Sequence, residues 1–133
     1  MKVIPQVRKY MSASPHTIGA DQTMARAHEM LREFRVRHLP VLQGGRLAGV
    51  VSERDLALIE AMPEVNPAQL SVEEAMSTEV YAVSPEAPLD EVARDMAARR
   101  YGCAVVLQNQ KVVGIFTAVD ACQALADLLQ SRA

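Results

Sequence analysis

The sequence has no tryptophan and few other aromatics, three Tyr and two Phe in 133 residues. A core of any size must then be aliphatic, built from Val, Leu, Ile, Ala and Met. Cysteine is equally scarce. Cys103 and Cys122 lie far apart in apolar surroundings, which argues against a disulfide framework and for two buried, reduced thiols in a cytosolic protein. An excess of one charge is lacking as well. The net charge is −2, so no strongly basic surface is available for nucleic acid. No apolar run reaches membrane-spanning length, and "MKVIPQVRKYMS" lacks the apolar stretch of a signal peptide. The expected setting is cytoplasmic, without membrane or nucleic-acid partners.

Catalytic signatures are missing too. There is no Gly-x-Ser-x-Gly, no Walker-type loop and no His-rich acid cluster. His16, His28 and His38 show no metal-ligand spacing with one another or with the cysteines, and His28, off the apolar stripe of its helix, is expected to face solvent. The sequence therefore names no catalytic residue, no metal ligand and no required cofactor, and it reads as a non-enzyme. What is present is ordinary globular composition, 50% hydrophobic and 23% charged, in a length suited to one domain or two small halves.

The organising feature is a repeat. Met11 and Met76, Gly49 and Gly114, and Asp55 and Asp120 each stand 65 positions apart, without a gap between the first pair and the last. Met11-Ser12 matches Met76-Ser77, Arg35 matches Arg100, and Val41-Leu42-Gln43 matches Val106-Leu107-Gln108. A repeat this long signals a duplicated supersecondary unit.

Each copy predicts the same elements. A short extended piece (His16–Ile18; Val80–Val83) precedes a helix with one apolar face, carried by Met24, Ala27, Leu31 and Phe34, then by Leu89, Val92, Ala93 and Met96. Pro88 suits the first turn of the second of these helices. Two aliphatic strands follow, "HLPVLQ" and "RLAGVV" around Gly44-Gly45, then "CAVVLQ" and "KVVGIF" around Asn109-Gln110. Their continuous apolar character suits strands covered on both faces. A last helix spans Glu53–Ala61 and Ala118–Leu129. The order is β-α-β-β-α twice, an α+β (α/β) class. The spans are 1–62 for the first repeat with an N-terminal lead-in helix, 63–75 for a linker with a short helix in "SVEEAM", and 76–133 for the second repeat.

The most informative stretch is "GVVSERD" (Gly49–Asp55) with its copy "GIFTAVD" (Gly114–Asp120). Ser52 with Asp55, and Thr117 with Asp120, form a capping box at a strand-to-helix corner. Taken singly, each is better explained as a cap. A cap does not need the glycine, which points to a close backbone approach or a kink. Both copies also use Asp where Glu or Gln would serve a cap. A short carboxylate fixed at such a corner suits a vicinal diol such as ribose, and the hydroxyl and free N–H groups suit a phosphate. Cap and ligand site both remain open on the residues alone.

The ungapped repeat, the "MS" openings, "RHLPV" and the paired Gly-h-h-[Ser/Thr]-x-x-Asp motifs resemble a tandem pair of CBS domains across almost the whole chain. The resemblance implies a stand-alone module of two CBS motifs packed sheet to sheet with pseudo-twofold symmetry. It also implies clefts between the motifs for an adenosine derivative (AMP, ADP, ATP or S-adenosylmethionine) as a regulatory ligand, and a homodimer formed through the helices. Carried over, Asp55 and Asp120 would hold ribose hydroxyls, and Ser52 and Thr117 would meet the phosphate. Backbone near Ile18 and Val83 would read the base. Arg37, His38, Leu39 and Pro40, with Gly102, Cys103 and Ala104 in the second copy, would line the base or phosphate side. The first copy also has Arg54, Arg37 and His38 to offset phosphate charge, whereas positions 118 and 119 are apolar in the second. Unequal clefts are expected. The alternative is a ligand-free dimerisation module in which these motifs only cap helices. Arg32, Arg35, Arg37, Arg99 and Arg100 read equally as a phosphate rim or as cations at helix C-termini.

Overall fold

The computed structural model describes residues 3–131, so the outer ends of the two repeat spans (residues 1, 2, 132 and 133) lie outside the described residues. After a 3-10 turn at Val7–Lys9 the chain forms β1 (Ser12–Ala13), β2 (Ile18–Gly19), α1 (Met24–Phe34), β3 (His38–Gln43), β4 (Arg46–Ser52) and α2 (Glu53–Glu60). It continues through α3 (Val72–Ala75), β5 (Ala82–Val83), α4 (Leu89–Arg99), β6 (Cys103–Gln108), β7 (Lys111–Thr117) and α5 (Ala118–Gln130). The β-α-β-β-α order is present twice, in β2-α1-β3-β4-α2 and β5-α4-β6-β7-α5.

The chain divides into two compact units, His16–Val80 and the combination of Met1–Pro15 with Tyr81–Ala133. In the first, β2 runs parallel to β3, and β3 pairs antiparallel with β4. The turn between β3 and β4 needs two residues at positive φ, and Gly44 (60°) and Gly45 (79°) supply them at little cost. Met24, Ala27, Met30 and Leu31 of α1 are buried with Leu39, Val41, Val51 and Leu56, as the 3.6-residue apolar spacing requires. Thr23 caps α1 by accepting from Arg26 N at 3.0 Å. The linker returns to this unit. Val72 N donates to Gln22 O (2.8 Å), Val72 and Ala75 of α3 join the same core, and Glu74 reaches back to Ser71 N at 2.9 Å.

The other unit repeats the plan in a sheet of order β1-β7-β6-β5. Its core is Val7, Leu89, Val92, Met96, Ala104, Val106, Phe116 and Ala124. Ala93, counted on the apolar face of α4 from its spacing, is exposed, because its small side chain falls at the edge of the stripe. Pro88 stands one residue outside the helix as its N-cap residue, with φ −62°. Asn109 (53°) and Gln110 (64°) occupy the positive-φ turn positions held by glycines in the first repeat.

The "MS" openings and the repeated glycines explain one another. A Cβ on Gly114 would strike Met11 Sδ, and a Cβ on Gly49 would lie 2.8 Å from Met76 Sδ and 2.6 Å from Ser77 O. Each lead-in methionine therefore lies on a glycine and brings its serine alongside the strand. Ser12 pairs with Ile115 in β1–β7, and Ser77 bridges to Val50 in the same position of the other sheet. The register also shifts beside each glycine, between Val41 and Leu42 and between Val106 and Leu107. Close approach and kink occur together, and the approaching group is the chain itself.

Candidate functional site

Each repeat ends its last strand in a strand-to-helix corner whose geometry follows from the capping residues. Ser52 is extended (φ −115°, ψ 163°) and caps α2. Its Oγ accepts from Asp55 N at 3.0 Å, and Asp55 Oδ2 accepts from Ser52 N at 2.9 Å. At the second corner Thr117 (φ −108°, ψ 173°) caps α5. Asp120 Oδ2 accepts from Thr117 N at 2.9 Å, and Asp120 N donates to Thr117 Oγ1 at 3.4 Å. Both capping boxes are formed. The arrangement pins each carboxylate at its helix N-terminus, half-buried, where the helix dipole favours negative charge. Asp55 and Asp120 are thus held as fixed acceptors beside the first-turn N–H groups.

Around the first corner, β3 brings His38 opposite Ser52, Leu39 opposite Val51 and Pro40 opposite Val50. Glu53 N donates to Arg37 O at 2.9 Å, which ties the segment before β3 to the start of α2. Ile18, Leu39 and Pro40 are buried, so none of them presents its side chain to solvent at this corner. Arg37 and Arg54 are exposed. Burial pushes the His38 imidazole below its ordinary value; Asp55 opposes the fall and Arg37 adds to it. The shift favours the neutral imidazole, so His38, half-buried, brings less positive charge to this corner than Arg37 and Arg54 do. It offers a ring face and a neutral nitrogen instead.

Around the second corner, β6 places Cys103 opposite Thr117 and Ala104 opposite Phe116. Gly102 is exposed, Val83 is half-buried in β5, and Ala104 lies fully inside. Burial pushes the Cys103 thiol up to about 11, which leaves it protonated and unreactive. Cys122 differs from the expectation of a second buried thiol. It is exposed on α5, whose apolar positions Val119, Leu125 and Leu129 also face outward.

Other sequence candidates lie elsewhere. Arg35 and Arg100 take left-handed backbone (φ 55° and 58°) at the C-terminal ends of α1 and α4, where a chain-reversing residue is needed to close the last turn. His28, expected as a solvent residue, is half-buried between α1 and α2, with Nε2 2.7 Å from Glu60 Oε1, although the pair is out of line for a hydrogen bond. It lines an open depression of about 380 Å³ with Ala25, Glu29, Arg32, Glu60 and Pro67, which includes no residue of either corner. Among the described residues no group of three His, Cys, Asp or Glu side chains is arranged to hold a metal. No helix among them is long and apolar enough to cross a membrane. Sequence reasoning missed Ser12, whose Oγ donates to Asp120 Oδ1 at 3.3 Å; its signal was the "MS" opening itself.

Comparison with known proteins bears on both corners. The chain is similar to the CBS domain-containing protein YhcV of Bacillus subtilis, 27% identical over 86% of this chain and 81% of that protein. In structure it is similar to AcuB of Vibrio cholerae, a candidate acetoin utilization protein, with a TM-score of 0.87 and 29% identity over 98% of this chain and 96% of that one. It is also similar to the CBS domain pair of protein MJ0100, in complex there with 5-methylthioadenosine and S-adenosyl-L-methionine. That likeness has a TM-score of 0.85 and 25% identity over 94% and 98% of the two chains. The family model for the CBS domain matches twice, at residues 7–60 and 72–127, taking in both sheets and both capped corners. With two such matches covering most of its length, the chain belongs to the CBS domain family.

Proposed function

We propose that this chain is a non-catalytic regulatory module that binds an adenosine-containing ligand (AMP, ADP, ATP or S-adenosylmethionine) at its strand-to-helix corners. The observation that carries the reading is the duplicated corner. A carboxylate is pinned by its own cap beside a helix N-terminus, twice, in a family in which MJ0100 forms complexes with adenosine derivatives. Asp55 and Asp120 hold the ribose diol, and Ser52 and Thr117 face the phosphate. The backbone of Ile18 and Val83 reads the base. Arg37, His38, Leu39 and Pro40, with Arg54, form the wall of the first corner, and Gly102, Cys103 and Ala104 that of the second. With an adenine nucleotide as ligand, the module would sense energy state in the cytoplasm. The two repeats and their linker, 1–62, 63–75 and 76–133, act as one CBS-pair module. Exposed Val119, Leu125 and Leu129 on α5 favour a homodimer through the helices, and ligand binding would act on a protein partner by shifting its conformational equilibrium.

A second reading is that the corners are only caps in an interaction module. It is favoured by the completeness of both capping boxes, which close at 2.9–3.4 Å with the chain's own groups. A thermal-shift panel of AMP, ADP, ATP, S-adenosylmethionine and NAD separates the two readings, because a ligand that binds the folded state raises the midpoint. A rise with at least one adenosine compound is expected. No rise with any of them at millimolar concentration leaves the interaction module standing.

A further inference from the structure

We propose that Ser12 holds the second corner's affinity below the first's, by occupying the carboxylate oxygen that a ligand hydroxyl would use. The inference rests on the reading of the corners as ribose sites.

The lead-in segments place a serine at the same register beside both corners, Ser12 opposite Ile115 and Ser77 opposite Val50. Their hydroxyls do different things. Ser12 Oγ donates to Asp120 Oδ1 at 3.3 Å, while Oδ2 of the same carboxylate accepts from Thr117 N at 2.9 Å and from Thr117 Oγ1 at 3.2 Å. Among the described residues Asp55 accepts from Ser52 N alone, at 2.9 Å. The Ser52 hydroxyl there accepts from Asp55 N rather than donating to the carboxylate. Among the described residues Ser77 makes no hydrogen bond to Asp55.

A carboxylate has about four lone-pair sites. Asp55 uses one and Asp120 uses three. A vicinal diol brings two O–H donors, so it fits on Asp55 without displacing any group. On Asp120 it must displace a donor, and the Ser12 contact is the longest of the three and lies at the surface. β1 itself stays anchored when that contact breaks, because Ser14 N donates to Val113 O at 3.0 Å and Met11 packs on Gly114. The first corner therefore fills first, and filling the second frees the Ser12 hydroxyl.

The test is calorimetric titration of the full chain with AMP, ATP and S-adenosylmethionine, following whichever binds and then its 2′-deoxy analogue. Asp55→Asn silences the first corner, and Ser12→Ala is compared with Ser12 in that background. Ser12→Ala is expected to tighten binding roughly fivefold, the scale of one exposed hydrogen bond. The gain should vanish with the 2′-deoxy analogue, which brings one hydroxyl fewer. A cooperative melt with its midpoint close to that of wild type checks that each variant folds. Binding that is unchanged or weaker on Ser12→Ala, with wild type binding normally, overturns the role of Ser12 alone. No heat from any of the three probes with wild type overturns the ribose-site reading and this inference with it.

Discussion

Replacing the two repeated glycines by alanine should have unequal costs, although the sequence makes them equivalent. In Gly49→Ala the new Cβ lies 2.6 Å from Ser77 O, a backbone atom, and 2.8 Å from Met76 Sδ. That carbonyl accepts from Val50 N at 3.0 Å, and Ser77 N donates back to Val50 O at 2.9 Å. The lead-in segment cannot retreat without stretching both bonds. Two hydrogen bonds at about 1 kcal/mol each and an overpacking cost of about 1–3 kcal/mol outweigh the roughly 0.5–1 kcal/mol gained by restricting the unfolded chain. The net loss is about 2–4 kcal/mol. In Gly114→Ala the three atoms nearest the new Cβ all belong to the Met11 side chain. A flexible thioether can leave for another rotamer at about 0.5–1.5 kcal/mol, so the net loss is about 1 kcal/mol or less. Urea denaturation of both variants measures the difference, and a double-mutant cycle locates it. Met11→Ala should recover part of the Gly114→Ala loss, whereas Met76→Ala should recover little of Gly49→Ala because the carbonyl stays in place. A Gly49→Ala loss under 1 kcal/mol, or a Gly114→Ala loss exceeding it, would refute the reasoning.

Three further outcomes follow from the structure. Arg35→Gly and Arg100→Gly should each raise stability by about 1 kcal/mol in urea denaturation, since both arginines sit at positive φ, where a Cβ is strained. Thiol titration with Ellman's reagent at pH 8 should show one fast cysteine, Cys122, and one that reacts only after unfolding, Cys103, whose thiol is buried and pushed up to about 11. Tyr81 is pushed up to about 12 by burial and by its hydrogen bond to Asp95. Its folded value exceeds the unfolded value near 10, so its contribution is present below pH 10 and fades as pH rises toward 12. Ultraviolet titration of wild type and Asp95→Asn should show the Tyr81 ionisation moving to lower pH in the variant.

Much of the fold was legible because it is written in short-range signals. The strands His38–Gln43 and Cys103–Gln108 coincide with "HLPVLQ" and "CAVVLQ", since aliphatic runs bounded by turn residues leave little ambiguity. The positive-φ turn at Asn109-Gln110 could be placed only because its copy holds two glycines. The corners were legible as caps from Ser52, Asp55, Thr117 and Asp120. Long-range consequences were not. Nothing local to Gly114 says that Met11, about a hundred residues earlier, lies on it, or that Ser12 then reaches Asp120. Cys122 and His28 were misjudged for a related reason. Periodicity marks which face of a helix is apolar, but not whether a neighbour covers it, and Glu60 closes over His28 only once α1 and α2 meet.

The central claim is that the capped carboxylates bind a ligand as well as hold their helices. Calorimetric titration of the strongest compound from the thermal-shift panel into wild type and Asp55→Asn/Asp120→Asn tests it most directly, with melting midpoints measured alongside. Asparagine keeps an oxygen to accept from the capping N–H, so stability should fall by no more than about 1 kcal/mol, while affinity should drop by roughly tenfold or more as charge-assisted bonds to the diol are lost. Full affinity in the double variant, with or without a loss of stability, would contradict the account and leave the corners as caps alone.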